Sequence, residues 1–230
     1  SILLTLLLVL SFAGCGTKDV NSTPSVPEKL DTKVNIYGIS GPTGVGLANL
    51  MEKAEKGEGN LKYNIALAAN NDEIVAKIKN GEADIAAVAT NLASTLYNAT
   101  NGGVQVLAIN TLGVLNVVTK GYEVDSIDDL KGLTIYSTGQ GANPEFIIND
   151  ILKNNKLEVV VKMKTNEKAV VVAPQPVATN ITNNVEGAKI VIDLNDEWDN
   201  FHDEALTMGA IIVRKEFADK NPDAIKIFLK

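Results

Sequence analysis

The sequence predicts an α/β fold of two lobes with a ligand cleft between them. Between residues 34 and 110, short apolar strands alternate with segments of helical spacing in the order βαβαβαβ, which is typical of an open α/β sheet. A second unit of strand, glycine-containing loop and helix begins at residue 133, in the same order as the first unit. The repeated unit favours two similar lobes.

In the first lobe, the predicted strands are short apolar runs at residues 34–38, 61–68, 84–89 and 104–110. The predicted helices carry apolar residues three or four positions apart, at residues 45–56, 72–80 and 92–97. A tight turn is expected at 39–44, and Gly81 follows the second helix as a stop signal.

The second lobe is predicted to repeat this design. Ser126 is expected to cap a helix start that carries two acidic residues in its first turn. A strand at 133–137 and a helix opened by Pro144 follow. Two further strands, 158–163 and 169–173, are separated by five residues, whereas a parallel crossover needs about a dozen. These residues therefore predict either a hairpin or the absence of a helix.

Two segments are predicted to connect the lobes, 114–120 on the way out and 206–213 on the return. The helix begun at Pro222 has no stop signal before the last residue, so we expect the C-terminal end of the first lobe to be missing. The predicted lobes are 33–113 with 206–230, and the inserted 114–205.

The N-terminus predicts a partial signal peptide followed by a lipid-anchored linker. Residues 1–14 contain an apolar run that is too short for a membrane-spanning helix of about 20 residues but fits a signal-peptide core of roughly 7 to 15. Small residues stand directly before Cys15 and resemble a bacterial lipobox, in which the cysteine is acylated and the chain is cut before it, although Phe12 replaces the usual aliphatic residue. Residues 15–32 have linker composition. A shortened transmembrane anchor or a cysteine buried in a core helix are the alternatives.

The composition excludes several kinds of chemistry. The net charge is −7 with no basic block, which argues against nucleic acid as a partner. One cysteine and one histidine, His202, cannot form a zinc site, and no serine lies near His202 for a catalytic triad. A single arginine, Arg214, cannot build a cluster of guanidinium groups around an anion. We therefore expect no enzyme activity, no metal and no cofactor, and a ligand held by backbone N–H groups, hydroxyls, amides and lysine.

Small polar residues follow several predicted strands, where open α/β sheets bind ligands. Taken singly, each has a structural explanation as a turn glycine or a helix-capping hydroxyl. Two opposed loops that converge on one cleft favour ligand binding instead. The candidate ligand-binding residues are Ser40, Gly41, Pro42, Thr43, Gly44, Thr90, Asn91, Asn110, Thr111, Thr138, Gln140, Gly141, Ala142, Asn143 and Gln175.

The first glycine loop does not match a nucleotide-binding motif. No Lys-Ser or Lys-Thr pair follows Gly46, as a P-loop would require, and Asn49 stands at the third glycine position of the dinucleotide fingerprint. The loop precedes a predicted helix, whose free N–H groups can hold an anion without either motif. Nucleotides are therefore disfavoured as ligands.

Three short segments occur in order behind Cys15: NGEADIA at 80–86, SIDDLKG at 126–132 and APQPV at 173–177. In this order they resemble the solute-binding lipoproteins of ABC importers, in the branch of nitrate-, sulfonate- and thiamine-precursor-binding proteins. The resemblance implies a periplasmic-binding-protein-like (type II) fold and ligand contacts from 41–44, Thr90, Asn91 and 138–143. That family would normally have a helix where this chain has residues 164–168, and would continue past Lys230.

The resulting hypothesis is a bacterial, extracytoplasmic receptor, anchored to the membrane by a lipid on Cys15 and monomeric, that delivers a small organic solute to an ABC permease. Its lobes would close by a hinge near 112–115 and 206–209. The single arginine argues against a dianion as solute, and the single histidine against a transition metal. The alternatives are a sensory or adaptor lipoprotein that binds a solute without transport, and an enzyme such as a pyrimidine-precursor synthase, which the scarcity of His and Cys disfavours.

Overall fold

Two five-stranded sheets organise the computed structural model, which describes residues 28–137, 141–157, 160–162 and 168–230. The strands within these ranges are β1 Lys33–Ile39, β2 Lys62–Ala68, β3 Ile85–Ala89, β4 Val104–Leu112, β5 Leu115–Lys120, β6 Thr134–Ser137, β7 Val160–Lys162, β8 Ala169–Pro174, β9 Ala188–Asp193 and β10 Thr207–Arg214. The predicted signal peptide, Cys15, most of the linker, Thr138 and Gln140 lie outside the described residues.

Within the same ranges, seven helices lie between these strands and two follow β10. They are α1 Pro42–Val45, α2 Ala48–Glu55, α3 Asn71–Lys79, α4 Thr90–Ala99, α5 Asn143–Asn154, α6 Val177–Asn184, α7 Leu194–Asp199, α8 Lys215–Lys220 and α9 Pro222–Phe228. Within the described part of the chain, no helix has the length and apolar content needed to cross a membrane.

The two sheets have the same design. The first has the order β2-β1-β3-β10-β4, and the second has the order β7-β6-β8-β5-β9. In each, the second strand of the order, β1 or β6, has two parallel neighbours, and the fourth strand, β10 or β5, runs antiparallel to the third. That antiparallel strand, β10 or β5, directly follows a passage of the chain from the other sheet. Each sheet is therefore mixed, and in each the antiparallel strand is the one that the chain enters on leaving the other sheet.

Apolar cores cover the sheets. In the first lobe, one cluster packs α3 and α4 against one face, and another packs α2, α8 and α9 against the same sheet. A third cluster fills the second lobe, and it includes Leu206 and Met208, which are only 3% and 8% exposed. Met208 lies on β10, a strand of the first sheet. The returning segment is therefore packed into both lobes.

The helix predicted at 45–56 is interrupted. It begins earlier, as α1, and α2 follows after Gly46 and Leu47. Leu47 is buried, and a Cβ added to Gly46 would come within 2.8 Å of the Asn110 amide nitrogen on β4. The break thus coincides with close packing against a distant strand, which hydrophobic spacing alone does not indicate.

The hairpin predicted as one alternative for 158–173 is wrong. Strands β7 and β8 lie on opposite sides of β6, and both run parallel to it. A hairpin would instead pair them directly and antiparallel. Both strands pair with β6, which precedes them in the chain, and not with each other. Residues 163–167, which connect them, lie outside the described ranges.

The first crossing is shorter than the predicted 114–120. Strand β5 occupies most of that segment, belongs to the second sheet and is buried along nearly its whole length. Only Gly113 and Val114 separate β4 from β5. The lobe boundaries at 113 and 205 stay a prediction.

Ser126 begins a short 3-10 turn, Ile127–Leu130, where a helix start is predicted. The Asp129 carboxylate accepts hydrogen bonds from the backbone N–H groups of Asp125 and Ser126, at 3.0 and 2.9 Å, and from the Ser126 hydroxyl. These bonds hold the pKa of Asp129 below its usual range. Ser126 and Asp129 thus form a capping box, which fixes the direction in which the chain enters the loop before β6.

Candidate functional site

Residues from the two lobes bond to each other where α4 and α5 begin. The Thr90 hydroxyl donates a hydrogen bond to the Thr207 carbonyl at 3.0 Å and accepts one from the Asn143 amide at 3.0 Å. The Asn91 amide nitrogen donates to the Gly141 carbonyl at 3.2 Å. We call this contact the interlobe junction, and it comprises Thr90, Asn91, Gly141, Asn143, Thr207 and Met208.

Asn143 is the most buried side chain of the junction's polar groups, and only 7% of the residue is exposed. It is the first residue of α5. Its amide nitrogen donates to the Met208 carbonyl at 2.8 Å as well as to Thr90. An amide nitrogen has two hydrogens, so both are used in bonds to the first lobe. This side chain therefore joins the second-lobe helix to α4 and β10 at once.

The loop after β1 is braced by the end of β4. Gly41 has a φ of +122°, which favours glycine, and allows the turn into α1. Thr43 is buried, and its carbonyl accepts a hydrogen bond from the Asn110 amide at 3.0 Å. A Cβ on Gly44 would collide with the Ile39 carbonyl oxygen, so only glycine fits there. The loop is thus held rigidly by its own backbone and by β4.

The same strand end also contacts β10 beside the junction. A Cβ on Gly209 would lie 2.7 Å from both the Asn110 Oδ1 and the Thr111 Oγ1 atoms. The Thr111 hydroxyl bonds to Asn110 at 3.3 Å. Gly209 directly follows Met208, a residue of the interlobe junction. The end of β4 therefore contacts both the loop after β1 and the part of β10 that belongs to the junction. Ser40 contributes locally, with its hydroxyl bonded to the Ala68 carbonyl at 3.1 Å.

The helices that begin at the junction have no side-chain caps. The N-cap residues of α4 and α5 are Ala89 and Ala142, neither of which offers a side-chain acceptor. Pro144 takes an early position in α5, where it has no N–H to leave unsatisfied. The Glu145 carboxylate accepts a hydrogen bond from the Gly141 N–H at 2.7 Å. In α5 the Glu145 N–H already donates to the Ala142 carbonyl at 3.1 Å, so the first-turn N–H groups that no side chain caps are mainly those of α4.

Gln175 is not part of the junction network. Its side-chain oxygen accepts hydrogen bonds from the Thr179 hydroxyl and N–H, at 2.8 and 3.3 Å, within its own turn. Its backbone N–H donates to the Val114 carbonyl at 2.8 Å, beside the first crossing. Its contacts in the structure are therefore local to the start of α6 and the crossing.

Two junction groups have no counterpart among the residues predicted from sequence. The carbonyl oxygens of Thr207 and Met208 accept the interlobe hydrogen bonds, and a backbone carbonyl has no residue-type signature. Gly209 is the one signal nearby, because a glycine within an apolar strand marks the close approach of another segment.

The single arginine and the single histidine make their contacts away from the interlobe junction. Arg214 pairs with Asp84 and Glu216, and His202 contacts Asp150 and stacks on Trp198. Among the hydrogen bonds and ion pairs of the described residues, none joins a lysine, arginine or histidine to the interlobe junction. The described ranges also contain no group of three or more His, Cys, Asp or Glu residues that could hold a metal ion. The junction therefore offers uncharged donors and acceptors, with one carboxylate beside them.

A surface depression of about 530 Å³ lies elsewhere, at the N-terminal ends of β1 and β2. Its lining includes Lys29, Gly59 and Tyr63 and none of the predicted ligand-binding residues. In α/β sheets ligands bind at the opposite, carboxyl ends of the strands. The interlobe junction is therefore the better candidate for the functional site.

No protein-family model matches the sequence, and comparison with curated proteins finds no match. Solved structures do match the fold. An ABC transporter protein from Parabacteroides distasonis superposes with a TM-score of 0.69 at 19% identity, covering 86% of this chain and 71% of that chain. The periplasmic aliphatic sulphonate binding protein SsuA from Escherichia coli gives 0.63 at 13% identity, covering 86% and 70%.

Lactococcal OpuAC, in a closed form with glycine betaine, gives a TM-score of 0.55 at 21% identity, covering 87% of this chain and 84% of that chain. These identities are low, so the likeness concerns the fold. The predicted fold class is confirmed: the chain has a two-lobed α/β fold of the periplasmic-binding-protein type.

Proposed function

We propose that the protein is an extracytoplasmic receptor that binds a small organic solute between its lobes and delivers it to an ABC importer. The observation that carries the proposal is the interlobe junction. Polar groups from α4, α5 and β10 converge there, beside the carboxyl end of β3. The fold neighbours support it, because SsuA is named a sulphonate binding protein, OpuAC was solved with glycine betaine bound, and the Parabacteroides distasonis protein is named an ABC transporter.

The chemistry of the junction indicates the kind of solute. Backbone N–H groups, amides and hydroxyls suit a neutral or singly charged molecule, since a dianion would require strong cationic partners. The chain's only arginine is paired with Asp84 instead. We therefore propose a small organic solute without a high charge.

Closure would take place at the two passages between the lobes. Gly113 in the first passage contacts Asn195 so closely that any Cβ would collide with that side chain. Leu206 and Met208 in the second are packed in the core of the second lobe. Short, well-packed passages of this kind permit a hinge rotation while they keep the two lobes in register.

Thermal-shift screening tests the proposal. Amino acids, sulfonates, pyrimidines and aromatic acids are added to the purified protein, and a ligand at 100 times its Kd should raise the unfolding free energy by about 2.7 kcal/mol. Titration calorimetry then measures Kd. The proposal fails if no compound stabilises the protein while an enzyme assay of the same preparation shows conversion of a substrate. Co-purification with a permease would separate transport from solute sensing.

Cys15 is proposed as the site of lipid attachment. Replacing it by alanine, Cys15→Ala, should move most of the protein from the membrane fraction to the soluble fraction, because the acyl chains would have no thiol to join. Cell fractionation and immunoblotting measure the distribution, with Ser11→Ala as the matched control that should stay membrane-bound. Equal retention of Cys15→Ala and the unmodified protein would show that the N-terminal segment is a true membrane span.

A further inference from the structure

One buried acceptor at the interlobe junction has no partner. Asn91 donates its amide nitrogen to the Gly141 carbonyl at 3.2 Å. This bond sets the orientation of the amide, since the reversed orientation would place two oxygens against each other. The Asn91 Oδ1 atom is then buried, and no donor in the described part of the chain bonds to it. Buried polar atoms without a partner are rare and costly.

The other acceptors of the interlobe junction already have donors. The Thr207 and Met208 carbonyl oxygens accept the interlobe hydrogen bonds, and the Glu145 carboxylate accepts one from Gly141. A ligand that carries acceptors alone, such as an alkanesulfonate, would leave the Asn91 oxygen unpartnered. A ligand with an N–H or O–H group would satisfy it.

We propose that the solute of this site carries an N–H or O–H donor that bonds to Asn91 Oδ1 when the lobes close. The inference rests on the proposed function and adds the chemical class of its solute. Opening the lobes would separate Asn91 from Gly141 and let water reach the free oxygen. The empty closed form therefore bears a cost that a donor-bearing solute offsets, so such a solute favours closure and an acceptor-only solute does not.

Matched pairs of compounds test this on the unmodified protein. Each pair contains a molecule with N–H donors and an analogue without them: glycine and glycine betaine, 2-aminoethanesulfonate and ethanesulfonate, and uracil and 1,3-dimethyluracil. Calorimetry should show the donor-bearing member of any binding pair to be at least about tenfold tighter. Binding without this preference would overturn the inference alone. The same comparison is made for every compound that the thermal-shift screen identifies, and failure of all these compounds to bind would overturn the proposed function and the inference with it.

A substitution separates the hydrogen bond from the larger size of the methylated analogues. In Asn91→Leu the acceptor is replaced by an apolar group of similar size. The two members of a matched pair should then bind with about equal Kd. Asn98→Leu, at an exposed position on the same helix, should keep the preference of the unmodified protein. If Asn91→Leu binds solute and retains the full preference, the donor is recognised elsewhere and the proposal is wrong.

Discussion

Arg214→Met is expected to lower the free energy of unfolding by about 3–5 kcal/mol. The Arg214 guanidinium bonds to the Asp84 carboxylate at 3.0 Å, and the two side chains are only 19% and 8% exposed. The other Asp84 oxygen accepts bonds from the backbone and side chain of Asn35. Removing the cation leaves a carboxylate that is buried next to β1, β3 and β10 without its charge partner. Urea unfolding followed by circular dichroism measures the loss.

A neighbouring residue provides the control. Lys215 follows Arg214 directly and pairs with Asp219 at 2.8 Å, but both side chains are about half exposed. Lys215→Met should therefore change the unfolding free energy by less than about 1 kcal/mol. The double variant Asp84→Leu/Arg214→Met should be more stable than Arg214→Met, because neither charge is left alone. Equal effects of Arg214→Met and Lys215→Met would contradict a buried pair.

This ion pair also bears on ligand binding. Arg214 ends β10, and Asp84 precedes β3, so the pair lies at the opposite end of the first sheet from the interlobe junction. The arginine count alone indicates a lack of guanidinium clusters. The structure adds that the single guanidinium is engaged in holding the sheet together. Its partner is 130 residues away in sequence, which no local pattern reveals.

The sequence predicts most of the strands because each is an apolar run of the right length, and burial of such a run does not depend on which strand lies beside it. It does not predict pairing. Strands β7 and β8 are close in sequence, yet both pair with β6, and β10 inserts between β3 and β4 after the chain has passed through the second lobe. The break between α1 and α2 is hidden for the same reason, since it lies where Gly46 packs closely against Asn110 of a distant strand.

The candidate site is predicted in part. Thr90, Asn91 and Asn143 are predicted as site residues because they follow strands, and the structure brings them into one network. Position after a strand says nothing about which lobe a side chain will contact. It also cannot identify the carbonyl groups of Thr207 and Met208, which belong to the backbone. That Thr90, Asn91 and Asn143 contact a ligand stays a prediction.

Asn143→Leu should weaken solute binding by about tenfold to a hundredfold while leaving the solute preference unchanged. Both amide hydrogens of Asn143 bond to first-lobe groups, Thr90 and the Met208 carbonyl. Leucine has a similar size but no donor, so closure would bury the Met208 carbonyl without its partner. In the open form water would satisfy that carbonyl. The substitution therefore penalises the closed form by about 1.4–2.8 kcal/mol relative to the open form, and the apparent affinity falls by the corresponding factor.

Two measurements distinguish this effect from a general loss of stability. Calorimetry gives Kd, and small-angle X-ray scattering of the ligand-free protein gives the radius of gyration, which should increase in Asn143→Leu as open molecules accumulate. Asn154→Leu, at an exposed position near the end of the same helix, should change neither quantity. Since Asn143 bonds to β10 as well as α4, its loss should affect closure even where a solute still contacts Asn91. An unchanged Kd and radius would show that the junction does not hold the lobes together.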